Sequence, residues 1–114
     1  MLMPHLLSYF LGGAFLTNAV PHFVSGVMGR CFQSPFAKPR GEGPSSSTVN
    51  VLWGFGNAVA AYALVVRVGD FDVRSAADAG TMGLGMLIAG LFLARQFGRF
   101  NGGNAPGSAS GPGA

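Results

Sequence analysis

Charged residues are scarce in this sequence. Its 114 residues include seven Lys or Arg and four Asp or Glu, so that 10% of the chain is charged, whereas an ordinary soluble domain is about 25% charged. Apolar residues make up 49% of the chain. A soluble helical bundle needs charged faces on its helices, and the long uncharged stretches of this sequence offer none. The composition therefore predicts an integral membrane protein.

Cysteine and acidic residues are also few, and their scarcity excludes several kinds of site. The single Cys31 cannot form an internal disulfide, and no spacing of Cys and His indicates a metal site. All four acidic residues lie outside the uncharged stretches. Paired carboxylates, a Ser/His/Asp set and a glycine-rich phosphate loop are likewise missing from the sequence. We therefore expect no enzyme activity, no catalytic residues, no metal and no cofactor.

Three uncharged stretches could each cross a membrane, since a span needs about 20 apolar residues. They are residues 6–27, 49–66 and 79–94. The third is short, but Arg95 extends it because the long Arg stem can reach the headgroups. The first is not a typical signal peptide, because no Lys or Arg precedes it and its apolar run is too long. The sequence predicts an all-α membrane protein, with one domain (1–100) of three transmembrane helices at about residues 6–29, 49–68 and 76–97.

The distribution of Lys and Arg predicts the orientation, because basic residues are retained on the cytoplasmic side. Loop 30–48 holds three basic residues and the end of the third helix adds Arg95 and Arg99, which makes five, whereas the opposite side holds two, Arg67 and Arg74. This bias places the N-terminus and loop 69–75 outside, and loop 30–48 and the C-terminus in the cytoplasm. The expected location is a bacterial inner membrane. Residues 101–114, rich in Gly, Ser, Ala and Pro, are expected to form a disordered tail.

Small and polar residues recur along one face of each predicted helix. We expect these faces to pack against one another, because small residues let helices approach closely in lipid. The positions assigned to helix packing are Gly54, Ala61, Gly83 and Gly90. Pro21 is expected to kink the first helix, because proline removes a helical hydrogen bond.

The polar members of these faces predict a cluster inside the membrane. Its expected residues are Asn18, His22, Ser25 and Asn57. The first two helices run antiparallel from a common loop, which puts His22 and Asn57 at about the same depth. We therefore predict hydrogen bonds among Asn18, His22 and Asn57.

His22 has two interpretations. Intramembrane Asn and His side chains often only tie helices together, at about 0.6 kcal/mol per contact. Ionisable residues are rare in spans, however, so His22 is also a candidate for a proton-titrating or ligand-binding group. His5 lies too far along the helix for both histidines to ligate one haem, which leaves only a haem shared between chains as a minor alternative.

Aromatic and basic residues in and near loop 30–48 predict contact with the membrane surface. The residues assigned to this interface are Arg30, Phe32, Phe36, Lys38, Arg40 and Trp53. The aromatic rings can enter the headgroup layer while the basic side chains meet anionic lipid. The alternative is a simple linker with incidental aromatics. No basic patch typical of nucleic-acid binding is present.

Two functional hypotheses follow. The chain is either an accessory or assembly subunit that packs against other membrane helices, or a homo-oligomeric carrier or channel with Asn18, His22 and Asn57 along its passage. Both require partners, a second copy or a larger membrane complex, because three helices alone enclose no passage. A polar stripe and a set of small residues do not discriminate between them.

Overall fold

A computed structural model describes residues 2–40, 42–105 and 107 of the chain, without the side chains of residues 2–4. The described residues form three long helices and one short hairpin. In chain order these are α1 (Leu2–Val27), β1 (Phe32–Gln33), β2 (Pro44–Ser45), α2 (Ser47–Tyr62), a π-helical continuation of α2 (Ala63–Val68) and α3 (Ala76–Asn101). The helices confirm that the chain is mostly helical, as predicted. Loop 30–48 is more ordered than expected, because β1 and β2 pair in antiparallel fashion.

Local side chains and glycines define where the helices begin and end. Ser46 caps α2 by accepting a hydrogen bond from the Val49 amide at 3.2 Å, and Ser75 caps α3 by accepting one from the Asp78 amide at 3.2 Å. Gly29 and Gly102, with φ of 74° and 75°, lie just beyond the ends of α1 and α3, in the left-handed conformation that glycine adopts most readily. α1 continues as helix through Pro21.

α1 is the central helix, because it packs against both α2 and α3 while those two hardly touch each other. Glycines make the close approaches possible. Gly54 of α2 lies against the backbone of Phe23, and Gly85 of α3 lies against the carbonyl oxygen of Phe10. Gly54 and Ala61 are both buried. The predicted packing face of α2 therefore does face α1.

The predicted packing face of α3 requires a correction. A Cβ at Gly83 would meet no atom within 4 Å, and one at Gly90 would meet only the Thr17 methyl, at 3.8 Å. Gly85 is the buried glycine of α3. Residues two apart on a helix point to nearly opposite sides, so Gly83 faces away from α1. The sequence pattern was wrong at Gly83, because α3 has one helical neighbour and Gly83 faces away from it. Gly90 lies beside Thr17 of α1.

Two of the three helices are long and apolar enough to cross a membrane: Ser47–Val68, with 22 residues, and Ala76–Asn101, with 26. The core helix of a soluble protein would be mostly buried, but only 6% of the most apolar stretch of Ala76–Asn101 is buried. Large apolar side chains such as Leu87 and Leu91 are exposed along it. α1 is also 26 residues long but is not among these candidate spans.

The C-terminal segment is only partly described. α3 extends to Asn101, which the sequence had assigned to the tail, and residues 102–105 turn back so that the Asn104 side-chain amide donates to the Ala94 carbonyl at 3.3 Å. Residues 106 and 108–114 lie outside the described residues. The predicted disorder of this segment stays a prediction.

The close approach of α1 and α2 predicts that substitutions at two glycines of α2 have different effects on the free energy of unfolding. A Cβ at Gly54 would lie 2.6 Å from the Phe23 amide nitrogen, whereas one at Gly56 would meet no atom within 4 Å. Gly54→Ala should lower the free energy of unfolding by about 1–3 kcal/mol. Gly56→Ala, the matched control, should be neutral or stabilising by up to about 1 kcal/mol. Unfolding in mixed detergent, followed by circular dichroism, measures both, and equal effects would contradict the contact.

Candidate functional site

A buried asparagine lies at the centre of the polar structure. Asn50, at the start of α2, has no exposed surface. Its Nδ2 lies 3.0 Å from the carbonyl oxygen of Phe32, 3.2 Å from that of Ser45 and 3.0 Å from that of Ser46. Its Oδ1 lies 2.7 Å from Nδ1 of His22. Asn50 therefore joins α1, α2 and both strands of the hairpin.

This arrangement determines which nitrogen of His22 carries a proton. The Asn50 amide nitrogen faces three carbonyl oxygens, so the orientation of the amide group follows from its partners. The Asn50 oxygen can only accept a hydrogen bond, and the Nδ1–H of His22 must donate it. In the uncharged imidazole, Nε2 then carries the lone pair. Nε2 has no hydrogen-bond partner in the part of the chain that the structure describes.

Aromatic rings surround His22, which is 2% exposed. The rings of Phe32, Trp53 and Phe97 meet it nearly edge-on, with centroids 5.6, 6.2 and 5.7 Å away. Phe32 also contacts Phe97 at 4.7 Å. His22 thus lies where the hairpin, α2 and the end of α3 meet. Phe32 and Trp53 are partly exposed and contact His22 in this cluster, and their assignment to the membrane surface stays a prediction.

A second polar pair lies one turn deeper in the bundle. Asn18 donates from Nδ2 to Oδ1 of Asn57 at 3.0 Å, and Asn57 donates from its own Nδ2 to the Trp53 carbonyl at 2.8 Å. The predicted contact between Asn18 and Asn57 is therefore present, but His22 binds Asn50 and not Asn57. Ser25 makes no side-chain hydrogen bond to either pair among the described residues. The expected cluster is in fact two separate pairs.

A cavity of about 340 Å³ opens beside these pairs, in the cleft between α2 and α3. Its polar walls include Asn18, His22 and Gln96, and its apolar walls include Trp53 and Phe97. Two polar side-chain atoms in the described ranges are fully enclosed without a hydrogen-bond partner, namely Thr17 Oγ1 and Trp53 Nε1. Nε2 of His22 is not one of these enclosed atoms, so it retains access to open space.

The basic residues assigned to the membrane surface remain outside this cluster. Arg30, Lys38 and Arg40 are exposed on or beside the hairpin. Phe36 is 64% exposed. Its ring nevertheless contacts the Trp53 ring in an edge-to-face arrangement, with the two centroids 5.1 Å apart. The hairpin thus has an inner side bound to Asn50 and an outer side that carries positive charge.

A smaller polar contact closes the opposite end of the bundle, and the sequence pattern did not reveal it. Tyr9 is 2% exposed; its hydroxyl donates to Oδ1 of Asp70 at 3.3 Å and accepts from the Asp70 amide at 3.1 Å. His5 Nδ1 lies 3.5 Å from the same carboxylate oxygen. The single signal in the sequence was a tyrosine near the start of the uncharged stretch 6–27.

The described residues contain no group of three or more His, Cys, Asp or Glu side chains that could hold a metal ion. Comparison with known proteins yields no match to a protein-family model, to a curated protein or to a solved structure. The function must therefore be inferred from the geometry of the chain itself.

The contacts of Asn50 predict what its removal does. Asn50→Ala leaves the hairpin carbonyls and Nδ1 of His22 without a partner, and each buried group left unsatisfied costs about 1–3 kcal/mol. The amides of the hairpin should then exchange with solvent about ten- to a hundredfold faster. Hydrogen exchange measured by mass spectrometry tests this, with Asn104→Ala, an exposed asparagine whose side-chain amide donates to the Ala94 carbonyl of α3, as the matched control. Unchanged hairpin protection in Asn50→Ala would show that the hairpin is held by other contacts.

Proposed function

We propose that all three helices cross a bacterial inner membrane, with the N-terminus outside and the C-terminus in the cytoplasm. The length of α1 supports a third span, because 26 residues reach roughly 39 Å along a helix. Its outer face is apolar, with Leu7, Phe15 and Val24 exposed. Tyr9, Asn18 and His22 of α1 are each hydrogen-bonded to another part of the chain, as a hydrocarbon surrounding favours. The exposed Arg30, Lys38 and Arg40 then meet anionic lipid at the cytoplasmic surface.

We infer that the chain acts as an accessory or assembly subunit that packs against another membrane helix. The observation that carries this proposal is the outward stripe of small residues on α3. Ala79 and Gly83, one turn apart, are both exposed, and a Cβ at Gly83 would meet nothing within 4 Å. Small residues four apart permit close helix–helix contact in membranes. The partner surface is therefore a transmembrane helix, from a second copy or from a larger complex.

The pairing of the polar groups also favours assembly over transport. Asn18 bonds to Asn57 and His22 bonds to Asn50 within one chain, so these residues already stabilise the bundle. The alternative is a homo-oligomeric carrier or channel, and the cavity beside Asn18 and His22 is the observation that favours it. In such a carrier His22→Gln would abolish flux, whereas in an assembly subunit it would affect only stability and association.

The proposed orientation predicts how the only cysteine reacts. Cys31 is exposed and lies in the loop assigned to the cytoplasm. A membrane-impermeant maleimide added to intact spheroplasts should leave Cys31 unmodified and should label it after permeabilisation. A Ser75→Cys variant in a Cys31→Ser background is the matched control, and it should react in intact spheroplasts. Labelling of Cys31 without permeabilisation would show that the chain has the opposite orientation.

The assembly role predicts the effect of filling the outward stripe of α3. Gly83→Leu should remove the partner from the complex extracted from native membranes, because the added side chain prevents close approach of a second helix. Gly56→Leu, on an equally open site of α2, is the matched control and should leave the complex intact. Native mass spectrometry of the extracted complexes measures both. A complex of unchanged mass in Gly83→Leu would exclude this surface as the interface.

A further inference from the structure

We infer that the cavity between α2 and α3 binds a hydroxylated aromatic ring of a membrane-soluble amphiphile, of the hydroquinone class. This inference goes beyond the assembly role and does not depend on it, but it rests on the proposed membrane location. It rests on the directions of hydrogen bonds, on the walls of the cavity and on its size. Pockets for small ligands have volumes of about 300–1,000 Å³, and the cavity of about 340 Å³ suits a single substituted ring.

Two chains of hydrogen bonds each end in an acceptor at this cavity. In the first, the Asn50 amide nitrogen donates to backbone carbonyls and its oxygen accepts from Nδ1 of His22. Nε2 of His22 is then the acceptor at the end of the chain. In the second, the Asn57 amide nitrogen donates to the Trp53 carbonyl and its oxygen accepts from the Asn18 amide nitrogen. Oδ1 of Asn18 is then the acceptor at the end of the chain. In the described ranges neither remaining atom has a hydrogen-bond partner, and both residues line the cavity.

The two acceptors select the chemistry of the ligand. Asn18 and His22 are four residues apart on α1, so their Cβ atoms lie about 5–6 Å apart along one face. A ring with two hydroxyl groups on opposite sides can donate one hydrogen bond to each acceptor. A site built to accept from hydroxyls rejects an analogue that lacks them, because its buried acceptors are left unpaired.

The remaining walls fit an aromatic ring with an apolar tail. Trp53 and Phe97 provide aromatic surface beside His22, and aromatic pairs are favoured in edge-to-face or offset geometry. Phe92, also at the cavity, is 65% exposed, so the cleft opens toward the lipid-facing surface of α3. A tail can leave the cavity by this route into surrounding hydrocarbon.

Trp53 makes the binding measurable, because it is the only tryptophan of the chain and lines the cavity. The purified full chain in detergent micelles is titrated with decyl-hydroquinone and, separately, with its dimethyl ether. The ether keeps the ring and the tail but has no hydroxyl donor. We expect decyl-hydroquinone to change the Trp53 fluorescence saturably, with an affinity about tenfold or more above that of the ether.

Variants test the acceptors themselves. His22→Phe keeps a ring of similar size without either nitrogen and should weaken hydroquinone binding about tenfold. His5→Phe, at the far end of α1, is the matched control and should bind as the unmodified chain does. Circular dichroism establishes that each variant is folded. If His22→Phe does not fold, the comparison of the two ligands on the unmodified chain decides. Absence of saturable binding, equal affinity for the two ligands, or full binding by folded His22→Phe would each overturn the inference.

Discussion

The fold depends on one buried amide group. Asn50 is enclosed on all sides, and its nitrogen and oxygen together meet two strands, the cap of α2 and a side chain of α1. A buried polar group is costly unless its hydrogen bonds are complete. Asn50 meets this requirement only when the hairpin, α1 and α2 are all in place. The amide therefore makes the positions of three elements dependent on one another.

The same requirement applies to the other polar side chains under the proposed membrane placement of α1. Hydrocarbon offers no hydrogen-bond partners, so a polar side chain within a span must find one inside the protein. The Asn18–Asn57 pair and the Tyr9–Asp70 pair supply such partners at two further heights of the bundle. All three contacts include a residue of α1. The central position of α1 follows, because it is the helix with the most polar groups to satisfy.

The helices and their caps were predictable because their signals are local. The absence of charge marks each apolar stretch, and Ser75 followed by Asp78 marks the start of α3. The partner of His22 was not predictable in the same way. Equal depth on antiparallel helices suggested Asn57, whereas the actual partner, Asn50, is oriented by carbonyl groups of a hairpin that local sequence did not reveal. Asn50 shares the buried face of α2 with Gly54 and Ala61, and that pattern alone assigns it no partner.

The correction at Gly83 shows why a small-residue stripe does not specify its neighbour. Lipid tails are as apolar as leucine side chains, so an exposed Leu87 or Leu91 gains little by leaving lipid for a second helix. Small residues differ, because the close backbone approach they permit brings dispersion contacts and weak hydrogen bonds that lipid cannot match. Gly85 makes that gain with α1 inside the chain. In the proposed assembly role, Gly83 makes the same contact with a helix of the partner, and the outward stripe of α3 is the part of the apolar surface where association has the most to gain.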